Sequence, residues 1–190
     1  MTLDDDAIER LVQEAQAGDA WAFGLIFDHF HGPIHRYVAS RVRNLPDTED
    51  LTQAIFVKAL EALPRYEARG IPFGGWLFRL ARNAVIDHGR TQRQHVDLAV
   101  VLERPALGIG PADAAIQRLE FDAVERALGA LTEDQLEVIR LRFFAGLSAR
   151  EAAAAMGKQE GTIRGLQFRA LAALRRRLGI SDKDEHDEHA

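Results

Sequence analysis

The stretch from Ala130 to Leu178 constrains the fold more than any other, because local signals there bracket three successive short helices. Thr132 followed by Gln135 fits a capping box, in which each side chain satisfies the other residue's backbone N–H. Leu136, Ile139 and Phe143 recur on one helical face, so the spacing predicts a helix ending near Gly146. Ser148 with Glu151 fits a second capping box, and the alanine-rich run to Met156 stops at Gly157, a residue suited to a left-handed cap. A third amphipathic segment opens near Glu160 and offers Ile163, Leu166, Ala170, Leu171, Leu174 and Leu178 for burial. A short helix, a glycine turn and a basic helix form the plan of a helix-turn-helix.

Charge points the same way. Between Ile139 and Leu178 nine Lys or Arg face two Glu, a net charge of +7, in a chain whose total is −5. A basic module inside an acidic protein is a local footprint for nucleic acid. The start of the second helix of such a motif meets base edges, which selects Thr162, Arg164, Gly165, Phe168 and Arg169. Arg pairs bidentately with guanine and Phe packs on a thymine methyl. Gly165 costs about 1 kcal/mol relative to Ala in a helix interior, and close backbone approach to DNA accounts for it. The plainer reading of the same residues is a three-helix bundle with solvated arginines.

The 190 residues, 47% hydrophobic, suffice for one large or two small domains. No stretch is long enough to span a bilayer and no signal peptide opens the chain, so a cytoplasmic protein without membrane insertion is expected. With no cysteine there are no disulfides, thiolate metal sites or cysteine nucleophiles. A glycine-rich phosphate loop, an HExxH pair and a GxSxG elbow are also absent from the sequence. Neither catalytic residues nor a cofactor is expected; the chain does not read as an enzyme. His31 and His35 sit one helical turn apart beside His29, but histidines at this spacing do not by themselves make a metal site, and none is assigned.

Asp4 to Asp6 open a helix carrying Ile8, Leu11, Val12 and Ala15, closed by Gly18. A second helix from Ala20 places Phe23, Phe27, Phe30, Ile34 and Tyr37 at helical intervals, with Gly32-Pro33 expected to interrupt or kink it. Asp47 is read as the N-cap of a helix from Thr48 to Leu63, whose stripe is Leu51, Ile55, Phe56, Ala59, Leu60 and Leu63. Glu49 and Asp50 in its first turn fit compensation of the helix dipole. After a loop at Tyr66–Pro72, a helix from Phe73 to Gln92 is polarised. Phe73, Trp76, Leu77, Leu80, Ala81 and Ala84 share one face, while Arg79, Arg82, Asn83 and Arg90 fill an arc opposite. Ile86 lies in that arc and Phe78 at its margin, where apolar groups beside arginines suit unstacked bases. Residues 93–112 read as a flexible linker, with Pro105, Gly108, Gly110 and Pro111 clustered, and helix resumes from Pro111 to Gly129. Residues 179–190 read as an acidic disordered tail.

Three motifs in order carry a resemblance. Asp47-Thr-Glu-Asp-Leu-Thr-Gln-Ala-Ile-Phe56, Phe73-Gly-Gly-Trp-Leu-Phe-Arg-Leu-Ala-Arg-Asn-Ala-Val-Ile-Asp87, and Gly146-Leu-Ser with Gly161-Thr-Ile-Arg164 resemble extracytoplasmic-function sigma factors of bacterial RNA polymerase, of the sigma-70 family. The likeness covers about residues 8–92 and 113–178. It implies an all-α protein of two small helical domains: residues 1–92, which bind polymerase and recognise and melt the minus-ten element, and residues 113–178, which read the minus-thirty-five element as duplex. By matching position, Asp47, Glu49, Asp50 and Gln53 resemble polymerase-binding residues, which sets aside a purely capping role for the acids. Arg79, Arg82 and Asn83, with Trp76 and Arg90 on the same helix, resemble the minus-ten surface. Thr162, Arg164, Gly165, Phe168 and Arg169 resemble the duplex-reading set. Ala54 stands where the family usually has Glu, Lys158-Gln159-Glu160 replaces a more typical turn, and Leu166 and Gln167 occupy sites that often hold a basic residue. The implied partners are core RNA polymerase, through the largest-subunit clamp helices and the flap, promoter DNA and an anti-sigma factor, with a monomer expected when free. A stand-alone helix-turn-helix repressor or activator is the competing expectation, predicting tight operator binding without polymerase. A helical adaptor that binds no DNA is the third.

Overall fold

The computed structural model describes residues 3–42, 44–68, 70–95 and 123–179, with backbone alone for 91–95. The elements are α1 (Asp5–Gln16), α2 (Ala20–Ala39), α3 (Leu45–Ala62), a 3-10 turn (Leu63–Arg65) and α4 (Phe73–His95). They continue with α5 (residues 123–129), α6 (Glu133–Ile139), a π turn (Arg140–Phe144), α7 (Ala149–Met156) and α8 (Glu160–Leu178). No strand occurs among the described residues, in agreement with the expected all-α class. The expected linker and tail lie outside the described residues except for 93–95 and Gly179.

The chain falls into two compact units. One holds residues 1–103 together with 140–163. The other holds residues 104–139 and 164–190. In the first unit, side-chain caps remove orphan N–H groups at the starts of α1, α2 and α3. Asp4 accepts from the Ala7 N–H at 2.8 Å, and Asp19 accepts from Trp21 at 2.8 Å and Ala22 at 3.3 Å. The α3 cap differs from expectation: it is Asn44, whose side chain accepts from the Asp47 N–H at 2.8 Å, so α3 opens three residues earlier with Pro46 in its first turn. Pro is harmless there because first-turn N–H groups have no intrahelical partner.

Helix α2 continues through Pro33 without ending. An interior Pro costs about 3 kcal/mol, and burial of Ile26, Phe30, Ile34, Tyr37 and Val38 along the same face offsets it, each large apolar side chain contributing about 1.5–3 kcal/mol. These side chains meet Ile55 and Phe56 of α3, and Phe73, Leu77, Phe78 and Ala81 of α4, in one core. Gln16 ties the end of α1 to that core by donating to the carbonyls of Leu63 at 2.9 Å and Tyr66 at 2.8 Å. Leu60, expected in the α3 stripe, is instead exposed at 51%, as is Val57 at 56%.

The capping signals of the C-terminal stretch are realised. Thr132 and Gln135 exchange backbone-to-side-chain hydrogen bonds at 3.0 and 3.3 Å, Ser148 and Glu151 do so at 2.8 and 3.2 Å, and Gly157 takes φ +64°. The face expected for Leu136, Ile139 and Phe143 is corrected by the π turn. The Ala145 N–H bonds the Arg140 carbonyl at 3.0 Å, an i+5 bond that inserts one residue and rotates the succeeding side chains by about 100°. Ile139 is buried as expected and Leu136 is half-buried, and within the π turn Leu141 is buried while Phe143 is exposed. In the second unit Ala127, Val138, Ile139, Leu166 and Ala170 are buried.

Candidate nucleic-acid interface

Helix α4 positions the expected basic arc. At about 100° per residue, Arg79, Arg82, Asn83, Ile86 and Arg90 fall within roughly 100° of one another. Arg79, Asn83 and Arg90 are exposed, and Arg82 and Ile86 are half-buried. Arg90 lies 3.9 Å from Asp87, an exposed pair of little energetic weight that leaves its guanidinium accessible. Phe78 does not belong to this surface. It is fully buried, edge-on to Tyr37 with ring centroids 5.8 Å apart, because the core wraps round the helix as far as Val85. Trp76 is half-exposed in an aromatic cluster, 4.8 Å from Tyr66 and 5.2 Å from Phe73. The Tyr66 hydroxyl's pKa is raised by burial, and the Glu9 carboxylate adds to the shift.

Helix α8 separates its two faces cleanly. Ile163, Leu166 and Ala170 are buried, while Thr162, Arg164, Phe168 and Arg169 are exposed, with Gly165 between them half-exposed. Phe168 is 75% exposed. An aromatic ring exposed between two arginines has a composition that suits base edges and phosphates together.

Helix α3 carries the expected acidic set in two parts. Glu49, Asp50 and Gln53 are exposed on one arc. Asp47 is set apart: it accepts from the Asn44 amide at 2.9 Å and lies 3.6 Å from His88 Nε2 of α4. Sequence reasoning missed Val57 and Leu60, which share the arc of Gln53. Their position just outside the best apolar stripe was the available signal for Val57; none marked Leu60.

It also missed Gly74 and Gly75. Both are buried in the first turn of α4, against α7. A Cβ on Gly75 would lie 2.6 Å from Ala154 Cβ and 3.1 Å from the Glu151 carbonyl oxygen. Around this packing, Arg36 Nε donates to the Phe144 carbonyl at 2.9 Å and Arg150 to the Gly70 carbonyl at 3.1 Å. His29 nearby has its pKa lowered by burial, an effect the Glu151 carboxylate partly opposes. His31 and His35 stack 6.1 Å apart, and His31 also rests on Phe27 and Phe56, so ring packing accounts for their spacing.

Comparison with known proteins bears on both surfaces. Residues 26–95 match the family model described as Sigma-70 region 2, and residues 127–176 match Sigma-70, region 4. The chain is 37% identical over 177 residues to the ECF RNA polymerase sigma factor BldN of Streptomyces coelicolor, covering 92% of this chain and 67% of BldN. It is 35% identical to ShbA, an ECF RNA polymerase sigma factor of Streptomyces griseus, over 88% of this chain and 93% of that one. Among solved structures, CnrH in complex with the cytosolic domain of CnrY superposes with a TM-score of 0.66 at 30% identity, covering 93% of this chain and 98% of that one. RpoE in complex with the anti-sigma factor NepR from Bartonella quintana superposes with a TM-score of 0.62 at 25% identity, covering 84% and 98%.

Proposed function

The chain belongs to the ECF RNA polymerase sigma factors, and from that premise we infer how its exposed side chains divide the work of an alternative sigma factor. Such a factor performs no catalysis itself; it brings core polymerase to particular promoters and initiates transcription there. In this reading residues 1–92 engage polymerase and the minus-ten element, residues 93–112 are the tether, and residues 113–178 read the minus-thirty-five element. No helix among the described residues is long and apolar enough to cross a membrane, and the work proceeds in the cytoplasm, where polymerase and promoter are found.

Glu49, Asp50 and Gln53, flanked by exposed Val57 and Leu60, form a mixed polar and apolar strip on α3 that suits the clamp helices of core polymerase. Asp47 supports it from beneath through Asn44 and His88. On α4, Arg79, Arg82 and Arg90 hold the displaced strand's phosphates and Asn83 meets an extruded base. Unstacking that base costs a few kcal/mol, which pocket and phosphate contacts offset. Trp76, half-exposed on the same helix, supplies a ring face. On α8, Arg164 and Arg169 read guanines, Phe168 packs on thymine methyl groups, Thr162 bonds a phosphate and Gly165 lets the backbone approach. The observation that carries this reading is that α4 and α8 each expose basic side chains on the face turned away from their buried residues. Regulation through an anti-sigma factor fits the company of RpoE, solved with the anti-sigma factor NepR, and of CnrH, solved with the cytosolic domain of CnrY.

The test is permanganate footprinting of reconstituted holoenzyme. Asn83→Ala is expected to abolish thymine reactivity at the minus-ten element while retaining duplex binding, and Arg164→Ala with Arg169→Ala to lose binding before melting. Unchanged open complexes with Asn83→Ala on every promoter tested would remove that residue's role.

A further inference from the structure

We propose that His88 is a positioning residue for polymerase binding: it acts through Asp47, and Asp47 serves the α3 strip by holding the His88 ring, not by touching polymerase. The polymerase half of this inference rests on the function proposed above; the pairing rests on geometry. At about 100° per residue, His88 continues the buried stripe of Leu77, Ala81 and Ala84, on the side of α4 opposite Arg79, Asn83 and Arg90. It therefore faces away from the surface read as DNA-binding. Its Nε2 atom is buried and makes no hydrogen bond, with Asp47 Oδ2 of α3 standing 3.6 Å away. A buried ring nitrogen left unpaired is unfavourable, and a shift of a few tenths of an ångström brings this carboxylate into bonding range.

Asp47 is held from its other side as well. Its backbone N–H donates to the Asn44 side chain at 2.8 Å, and its carboxylate accepts from the Asn44 amide at 2.9 Å. Thr48, next in the chain, is buried and donates through Oγ1 to the Asn44 carbonyl at 2.8 Å. Around α3, Asp50, Gln53 and Val57 fall within about 60° of one another, whereas Asp47 lies about 60–120° from each of them, on the flank toward α4. A carboxylate so placed braces the first turn of α3 against α4 and stands aside from the arc its neighbours present. The imidazole can donate from Nε2 either as the neutral ring with its proton there or as the imidazolium. Since α3 carries the polymerase-facing strip and α4 the basic arc, this contact sets how the first turn of one helix stands on the other.

Equilibrium binding of the full-length chain to core polymerase tests the role in Asp47→Asn, His88→Leu and the two combined. Each single variant should weaken binding at least fivefold, and the combination no more than about twofold beyond the weaker-binding single, because both remove one contact. Losses that multiply would place Asp47 on polymerase itself, and wild-type affinity in His88→Leu would remove His88 from the account; either result overturns the proposal. His88→Gln, which returns a donor near the Nε2 position, should recover most of the His88→Leu loss. A merely structural role predicts instead losses that track melting temperature in the same samples, with no recovery by Gln, and that pattern would also overturn it. In long-range 1H–15N spectra of the free chain, Asp47→Asn should move the His88 Nε2 signal and leave those of His29 and His35 in place; an unmoved His88 signal would overturn the pairing. If the wild-type chain does not bind core polymerase, the sigma-factor reading falls and the positioning role with it, while the His88 signal still decides the pair.

Discussion

Replacing Phe78 with Ala separates a structural side chain from a DNA-binding one on the same helix. Phe78 is fully buried, stacked edge-on against Tyr37, which is itself fully buried, and flanked by Leu77 and Ala81 with no exposure. Truncation removes a ring and leaves a cavity that close-packed α2 and α4 cannot collapse into, a cost of about 3–5 kcal/mol. A domain of this size has about 5–15 kcal/mol in all, so much of its stability is lost. The melting temperature should fall by about 10–20 °C, at roughly 4 °C per kcal/mol. Thermal and urea unfolding of the full chain, followed by circular dichroism, measure both quantities, and Phe78→Leu should recover most of the loss because volume is nearly kept. The matched control is Asn83→Ala, which is exposed and should stay within about 0.5 kcal/mol of wild type. A loss below about 1 kcal/mol for Phe78→Ala, accompanied by a selective defect in promoter opening, would refute the assignment of Phe78 to the core.

Ser148→Ala removes one half of a reciprocal cap and should cost about 1 kcal/mol, read as faster hydrogen exchange in the first turn of α7. Gly157→Ala forces a side chain into φ +64° and should cost about 1–2 kcal/mol in the same assay. His29 is kept neutral by burial, so its contribution to stability is complete above its ordinary value near 6.5 and is lost as pH falls through that value toward its lowered folded pKa. The urea midpoint should therefore drop as pH falls through about 6.5, and His29→Gln should flatten that slope; an identical slope in the variant would contradict the assignment. Glu49→Lys with Asp50→Lys should weaken capture by core polymerase at least tenfold with no change in melting temperature, since both side chains are solvated.

Helix ends were legible in the sequence wherever the signal is local. Thr132 with Gln135, Ser148 with Glu151, and Gly157 each lie within a few residues of the group they satisfy, and the structure places them as read. The α3 cap was misread because Asn44 and Asp47 are equally good caps by chemistry; only the chain entering α3 decides between them. Phe143 was assigned to a buried face because a 3.6-residue period carries no trace of an i+5 turn. The exposed arcs of α4 and α8 were legible through alternation of charge with apolar residues. Phe78 was not, since burial on a third side of α4 depends on Tyr37, forty-one residues away in the chain. The close approach at Gly75 was hidden for the same reason: this glycine acquires meaning only beside Ala154.

The central claim is that this chain's DNA-binding surfaces act through polymerase. Fluorescence anisotropy of a promoter fragment selected from a library by the reconstituted holoenzyme, titrated with the full chain with and without core polymerase, tests it most directly. The account predicts no promoter-specific complex with the chain alone, and with core polymerase a specific complex that yields a transcript of defined start. A tight, sequence-specific complex formed by the chain alone, with transcription by core polymerase unchanged on its addition, would contradict it.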